Sequence, residues 1–410
     1  MPLRTSERSG SRRCFALTTV AEAIGDQTAR SLAPIIAVSV LGAGTVWVGL
    51  LHSSSLAMFL LLSLPLGHVG DRLSRPAWMM SLSTAVRMTV SAAGLGAWLL
   101  GLLEGTTGLA LLVAMMLVIG IADVAYTTGR GILVPRLVQA DEIRSLMGTV
   151  QAAAQIGTVL SPLLLAGFLT VAAPPLAWTG VLAAYLVSLL TQRVLRGQDA
   201  APAGDRRHPR LREGVAHLLR ERTLRRITLS NALSNSAAMA ANTLLPVVAL
   251  TLLDVSPAVF AALGGLGALT GVAGTASASA ITGRLGLRRV RIMAALVTGA
   301  GVLPVLLLVA DVSPLPGPPS AWIGLCFALS GVCTSLAAVA GADLVPRLTP
   351  RAMLGAVAGA QRTVTMGSMP LAALVVGALG AGAGPFEAGV VWLALTVAAA
   401  VPVLRLRAPG

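Results

Sequence analysis

Apolar residues in this chain run on for about twenty positions at a time, the length of a helix that crosses a bilayer. They do so repeatedly between residues 15 and 404. "LAMFLLLSLPL" (56–66) and "LALLVAMMLVIGIA" (109–122) are typical. The chain is 55% hydrophobic and 11% charged, against roughly 25% charged in an average soluble domain. That leaves too little polar surface to coat so much apolar material, and the solvent it implies is lipid. Strands of a membrane barrel would alternate apolar and polar residues at every second position, and these runs do not. A helix satisfies its own backbone in hydrocarbon, and the 44 glycines suit helices that approach one another closely. The expected fold class is an all-α membrane protein.

Hydrophobic windows predict twelve transmembrane helices, at about 15–42, 47–69, 77–102, 107–130, 145–171, 175–195, 226–252, 257–282, 289–310, 320–341, 353–380 and 385–404. The links sort into two alternating sets. One comprises the N-terminal tail (1–14), "GDRLSRP", "RGILVPRLVQADEIR", the long link 196–225, "GRLGLRRVR", "VPRLTPR" and the C-terminal tail (405–410), and each carries arginine. The other comprises "GAGTV", the links near Glu104 and Pro174, "LDVSP", "DVSPLPGPPS" and the turn near Glu387, and none carries arginine. Basic residues collect on the cytoplasmic side. Both termini are therefore expected in the cytoplasm and the number of spans is expected to be even. "SRRCFAL" near the start resembles a twin-arginine export signal. Glu22, Asp26 and Arg30 interrupt what would be its apolar region, so the segment reads as a tail leading into the first helix.

The net charge of +14 invites a nucleic-acid reading. All thirty basic residues are arginines scattered between apolar runs, and aromatic residues make up only 3%. No basic stripe with stacking platforms results. Cys14, Cys326 and Cys333 form neither a metal spacing nor a disulfide framework. No Walker or dinucleotide-binding pattern is present. The sequence thus points away from an enzyme, a cofactor, a metal, nucleic acid and ATP. The bilayer is the partner this composition implies. In the link 196–225, Leu211, Val215, Leu218 and Leu219 fall on one helical face among arginines. That pattern predicts an amphipathic helix lying on the anionic inner leaflet.

The chain also repeats. Shifted by about 212 positions, Leu32, Pro34 and Ala37 fall on Leu244, Pro246 and Ala249, and Arg72 and Leu73 fall on Arg284 and Leu285. "LVPRL" at Leu133 returns at Leu344. Six helices bring the chain back to the same side, so the two bundles, 15–195 and 226–404, are expected to be parallel repeats with a cavity near the midplane.

Several segments resemble a known family. "GHVGDRLSRP" (67–76) resembles the loop 2–3 signature of the major facilitator superfamily through Gly67, Asp71, Arg72 and Arg75, with Ser74 where a glycine is usual. "AIGDQTARSLAPIIAV", "LREGVAHLLRERTLRRITLSNALSN" and "LTPRAMLGAVAGAQRTVTMGSMPLAALVVGAL" are similar to the branch that contains macrolide exporters and enterobactin-type siderophore exporters. "GTVLSPLLLAG" resembles the helix 5 antiporter motif, with Gly157 and Pro162 kept, Ser161 for a glycine and Gly167 shifted by one. The resemblance implies a major facilitator fold, and the all-arginine, alanine-rich usage points to a bacterial source and so to a bacterial inner membrane. The resemblance also implies a proton-coupled exporter of drugs, antibiotics or siderophores working by alternating access. An uptake carrier for a metabolite and a transport-inactive receptor or scaffold remain the alternatives. It further implies a cytoplasmic gate, in which Gly67 and Gly70 allow close helix passage, Asp71 meets a helix N-terminus, and Arg72 and Arg75 hold acids or phosphates. Gly283 stands where Asp71 would fall in the second half, so that copy should latch more weakly.

Charges at membrane depth are the default functional candidates because they are costly there. Glu22, Asp26 and Arg30 share one face of the first helix. Burial favours a neutral acid while Arg30 favours the carboxylate. These opposed influences make Asp26, then Glu22, the proton-coupling candidates, with a static Asp26–Arg30 pair as the alternative. Arg87, Asp123, Arg130 and Arg362 form the remaining charge network. Asn231, Asn235, Asn242, Gln151, Gln155 and Gln361 are candidates for lining a substrate cavity or for gluing helices together.

Overall fold

The computed structural model of the chain describes residues 5–72, 75–137, 143–196, 211–312, 315–350 and 353–406, with no account of side chains at 5–12, 63–72, 135–137, 143–145, 195–196 and 211. Every regular element among them is helical. The helices are α1 (Thr5–Ser39), α2 (Thr45–Arg72), α3 (Pro76–Leu99), α4 (Gly105–Leu137), α5 (Ile143–Leu169), α6 (Trp178–Arg196) and α7 (Leu211–Arg220). They continue as α8 (Arg222–Val247), α9 (Pro257–Ala310), α10 (Pro319–Val339), α11 (Leu344–Leu348), α12 (Leu354–Gly382) and α13 (Pro385–Ala398). Nine helices among the described residues are long and apolar enough to cross a membrane.

Two compact units form. The first contains Met1–Gly42 and Ala57–Asp205, and the second contains Ala43–Leu56 and Arg206–Gly410. In the first unit α1 packs on α5 and α6, and α3 packs on α4 and α6. The contacts are close because small residues face one another. A Cβ on Gly157 of α5 would stand 2.5 Å from Ala23 Cβ and 2.8 Å from the Val20 carbonyl oxygen of α1. One turn on, Thr28 and Ser161 share a hydrogen bond of 2.8 Å. Many of the remaining hydroxyls, such as those of Thr19, Ser81 and Ser83, donate to the carbonyl four residues back. That local bond satisfies a hydroxyl where no water is present.

In the second unit α8 packs on α12 and α13, and α9 on α10. The first turns of α2 lie on α12, where Thr45 Oγ1 donates to the Gly377 carbonyl (2.8 Å) and Ser53 Oγ to that of Pro370 (2.9 Å). The link expected between residues 282 and 289 is a single break. Helix α9 runs through it, interrupted at Gly286 with φ 77° and ψ 152°, a conformation open essentially to glycine alone. Helix α7 forms, but its apolar face is not all free for a leaflet. Leu218 is buried with Leu224, Val357 and Ala360, and Gly214 presses on the backbone of Ala356, while Val215 and Leu219 stay exposed. Five of the six arginine-free links share a device. Gly42, Gly101, Gly105, Asp254, Asp311, Gly317 and Gly384, all at positive φ, lie in that set.

Candidate functional site

The first unit gathers most of the intramembrane charge in one place. Arg87 of α3 is fully buried, with 0% exposure. Its Nη2 donates to Glu22 Oε2 and its Nη1 to Asp26 Oδ1, so two acids of α1 share one guanidinium. Both tyrosines of the chain stack on that group. Its Cζ lies 4.8 Å from the ring centre of Tyr126 (α4) and 5.1 Å from that of Tyr185 (α6), within cation–π range. A Cβ on Gly25 would meet the Tyr185 ring at 2.7 Å, so the missing side chain lets the ring close on α1. The phenol then donates to Asp26 Oδ1 at 2.8 Å.

The two acids are held differently. Glu22 is buried, and its Oε1 accepts from Thr84 Oγ1 (2.6 Å) and Ser188 Oγ (2.5 Å). Gln192 braces both hydroxyls, donating to Ser188 at 2.7 Å and Thr84 at 3.0 Å. A carboxylate surrounded by donors suits the acceptor-only ionised form. Asp26 takes both of its bonds on Oδ1, and its side chain is 20% exposed.

Arg30 does not pair with Asp26 one turn away. It reaches Asp123 of α4 instead, so the static Asp26–Arg30 pair is replaced by two interhelical links, Arg87–Asp26 and Arg30–Asp123. Arg130 lies two turns further along α4 and is half-buried. In the helix 5 motif, Gly157 and Ser161 face α1 and Pro162 is buried, whereas Gly167 is exposed with nothing near it. Gln151 is exposed and Gln155 half-buried on α5. In the gate motif, Arg75 is exposed ahead of α3. Gly67, Gly70, Asp71 and Arg72 belong to the end of α2, where side chains lie outside the described residues, and Leu73 and Ser74 lie outside them altogether.

In the second unit, Asn231 and Asn235 tie helices together. Asn231 Oδ1 accepts from Arg291 at 2.6 Å, and Asn235 Nδ2 donates to the Thr365 carbonyl of α12 at 3.2 Å. Asn242 lines a cavity of about 210 Å³ among α8, α9, α10 and α13. Gln361 is half-buried and Arg362 exposed on α12.

Sequence reasoning passed over Thr84, Tyr126, Tyr185, Ser188 and Gln192. A signal was present, since Tyr185, Ser188 and Gln192 recur on one face of α6 at helical spacing. Arg291, grouped with the arginines of a cytoplasmic link, is in fact buried at 4% exposure.

A sequence model of the Major Facilitator Superfamily matches residues 15–373. The chain belongs to the major facilitator superfamily. This member is accordingly a multi-pass membrane protein with a transporter fold, surrounded by lipid and made for a small substrate; it is not an enzyme. No curated protein matches it in sequence. Among solved structures, a POT family transporter in complex with 5-aminolevulinic acid superposes with a TM-score of 0.75 at 12% identity, over 96% of this chain and 95% of the other. The nucleoside transporter NupG gives 0.71 at 12% identity, over 97% of each chain. A bacterial homologue of the iron transporter ferroportin, inward-facing, gives 0.70 at 17% identity over 96% and 98%. At such identities the likeness is one of fold.

Proposed function

We propose that this superfamily member is a proton-coupled exporter of small organic molecules, drug-like or siderophore-like, in a bacterial plasma membrane. In this reading it is a monomer with both ends in the cytoplasm and draws on no ATP. The span count is twelve: α1, α3 and the two limbs of α9 complete what the other long apolar helices begin. The residues around Gly157 and Pro162, which resemble the antiporter motif, favour export as the direction.

One observation carries the coupling. Glu22 and Asp26 place two acids on the single buried guanidinium of Arg87, an excess of one negative charge that one proton cancels. Glu22 is enclosed by donors and serves as the fixed counter-charge. Asp26 is the more exposed acid, with both bonds on one oxygen, and takes the proton. Protonation there weakens its bonds to Arg87 and Tyr185, and with them the ties of α1 to α3 and α6. A local change of charge would thus release a helix contact, the usual form of such a switch.

The test uses everted membrane vesicles from cells expressing the protein, a panel of lipophilic dyes and antibiotics, and an imposed inside-acid pH gradient. Uptake of at least one compound, abolished by a protonophore, is expected. Asp26→Asn should abolish the gradient-driven uptake yet keep substrate counterflow. Full gradient-driven uptake in Asp26→Asn would overturn the coupling assignment. Accumulation by intact cells would identify an importer, and no transport in either system would identify a receptor or scaffold.

A further inference from the structure

The second unit also buries an arginine, and its surroundings are the reverse of those of Arg87. Arg291, at the start of the second limb of α9, donates through Nη1 to Ser230 Oγ (3.0 Å). Through Nη2 it donates to Asn231 Oδ1 (2.6 Å) and to the Ala337 carbonyl (2.9 Å). All three partners are neutral. Ser230 is itself fixed, donating to the Ala399 carbonyl at 2.8 Å. Among the described residues no carboxylate pairs with Arg291, and Asp343, two residues beyond the Gly341 that lies beside Arg291, is engaged with Arg347. A guanidinium offers five N–H groups, of which three are taken here. Nε is buried and has no partner.

This positive charge lines the cavity of about 210 Å³, larger than the ~150 Å³ apolar cavity that admits benzene. Away from the guanidinium the walls are mainly apolar, with Leu245, Phe327 and Trp392 among them, beside Asn242 and several Ser and Thr hydroxyls. A buried charge without a counter-ion is costly. A guanidinium at a cavity wall with N–H groups left unpaired is suited to a carboxylate, which it binds by charge-assisted hydrogen bonds. We propose that the cavity of the second unit is a binding site for a small organic anion, whose carboxylate sits on Arg291 while its apolar body fills the space beside Trp392 and Phe327. The apolar walls favour an organic anion over an inorganic one. The site rests on the surroundings of Arg291 alone and holds whether the chain exports, imports or does neither.

The experiment is thermal unfolding of the purified full chain in detergent, at constant ionic strength, with acetate, benzoate or salicylate as ligand and benzamide or chloride as controls. A ligand that binds only the folded state raises Tm. Benzoate or salicylate at saturation should raise it by about 2 °C or more, while benzamide and chloride should not. Arg291→Gln should abolish the shift. Ala241→Phe, which fills the cavity and leaves Arg291 in place, should abolish it too, so the outcome does not depend on one variant folding well. The proposal is overturned if no carboxylate shifts the wild type. It is equally overturned if benzamide or chloride shifts it as much as benzoate, or if the benzoate shift survives in both variants.

Discussion

Arg87 is the residue on which the first unit's polar interior depends. Removing it leaves Glu22 and Asp26, which now share it, as neighbouring acids with no counter-charge. Breaking a buried ion pair from one side costs about 3–5 kcal/mol, whereas replacing the whole group by neutral residues is often tolerated. Arg87→Gln is therefore expected to lower stability by that order, and Arg87→Gln combined with Glu22→Gln and Asp26→Asn to recover most of it. Thermal unfolding of the detergent-purified variants measures both. A triple variant no more stable than the single would show that packing around Tyr126 and Tyr185, not charge, holds the cluster. The charged members of this site were legible in the sequence because an acid or arginine inside an apolar run is rare and costly. Their pairing was not legible. Arg30 and Asp26 are one turn apart on α1, yet Arg30 goes to Asp123, because partners across a helix interface leave no trace in local spacing. Ser188 and Gln192 escaped for another reason: neutral polar residues are common in membrane helices as interhelical glue. Arg291 was misread because it stands at the edge of a hydrophobic window, where a buried arginine and a topology-setting one look alike.

At the scale of elements, the helix 5 motif separates into residues that touch α1 and one that does not. Gly157→Ala would put a methyl group 2.5 Å from Ala23 Cβ and 2.8 Å from a backbone oxygen, forcing α1 and α5 apart at a cost of about 1–3 kcal/mol. Gly167→Ala meets nothing within 4 Å and should leave stability unchanged or improve it by about 0.4–1 kcal/mol through the unfolded chain. Melting the two variants side by side tests this, and equal losses would mean that the tight α1–α5 approach is not a structural requirement. Helix existence was largely readable from hydrophobic run length, while helix endings were not. The pentapeptide "LVPRL" shows why. At Leu133 it completes the long helix α4, and at Leu344 it forms the separate short helix α11 after a turn at Ala340–Asp343. Local sequence is the same in both places, so tertiary context decides. Similarly, "GRLGLRRVR" reads as a loop by its charge, yet only Gly286 departs from helical geometry.

For the whole molecule, the number of crossings turns on the helices that composition describes least well. Of the helices expected to span, α1 and α3 are not among the nine that are long and apolar enough. They are the two that carry Glu22, Asp26, Arg30 and Arg87, so the charge that marks them as functional also dilutes their hydropathy. Helix α9 errs in the other direction. Its 54 residues would measure about 80 Å if straight, far more than the ~30 Å of hydrocarbon a single span must cross. The break at Gly286, flanked by Arg284, Arg288 and Arg289, divides it into two limbs of ordinary length. If each limb crosses, the ends of α9 lie on the same side and its middle on the other, with the arginines in the cytoplasm as positive charge requires. Leu252, Arg288 and Val312 are exposed and mark the three positions. In a background with Cys14, Cys326 and Cys333 replaced by serine, a membrane-impermeant maleimide added to intact cells should label Leu252→Cys and Val312→Cys. Arg288→Cys should react only after permeabilisation. Labelling of Leu252→Cys without Val312→Cys would make α9 a single crossing, leave an odd number of spans and put the termini on opposite sides. The parallel six-helix repeats, and the exchange mechanism built on them, would then have no basis.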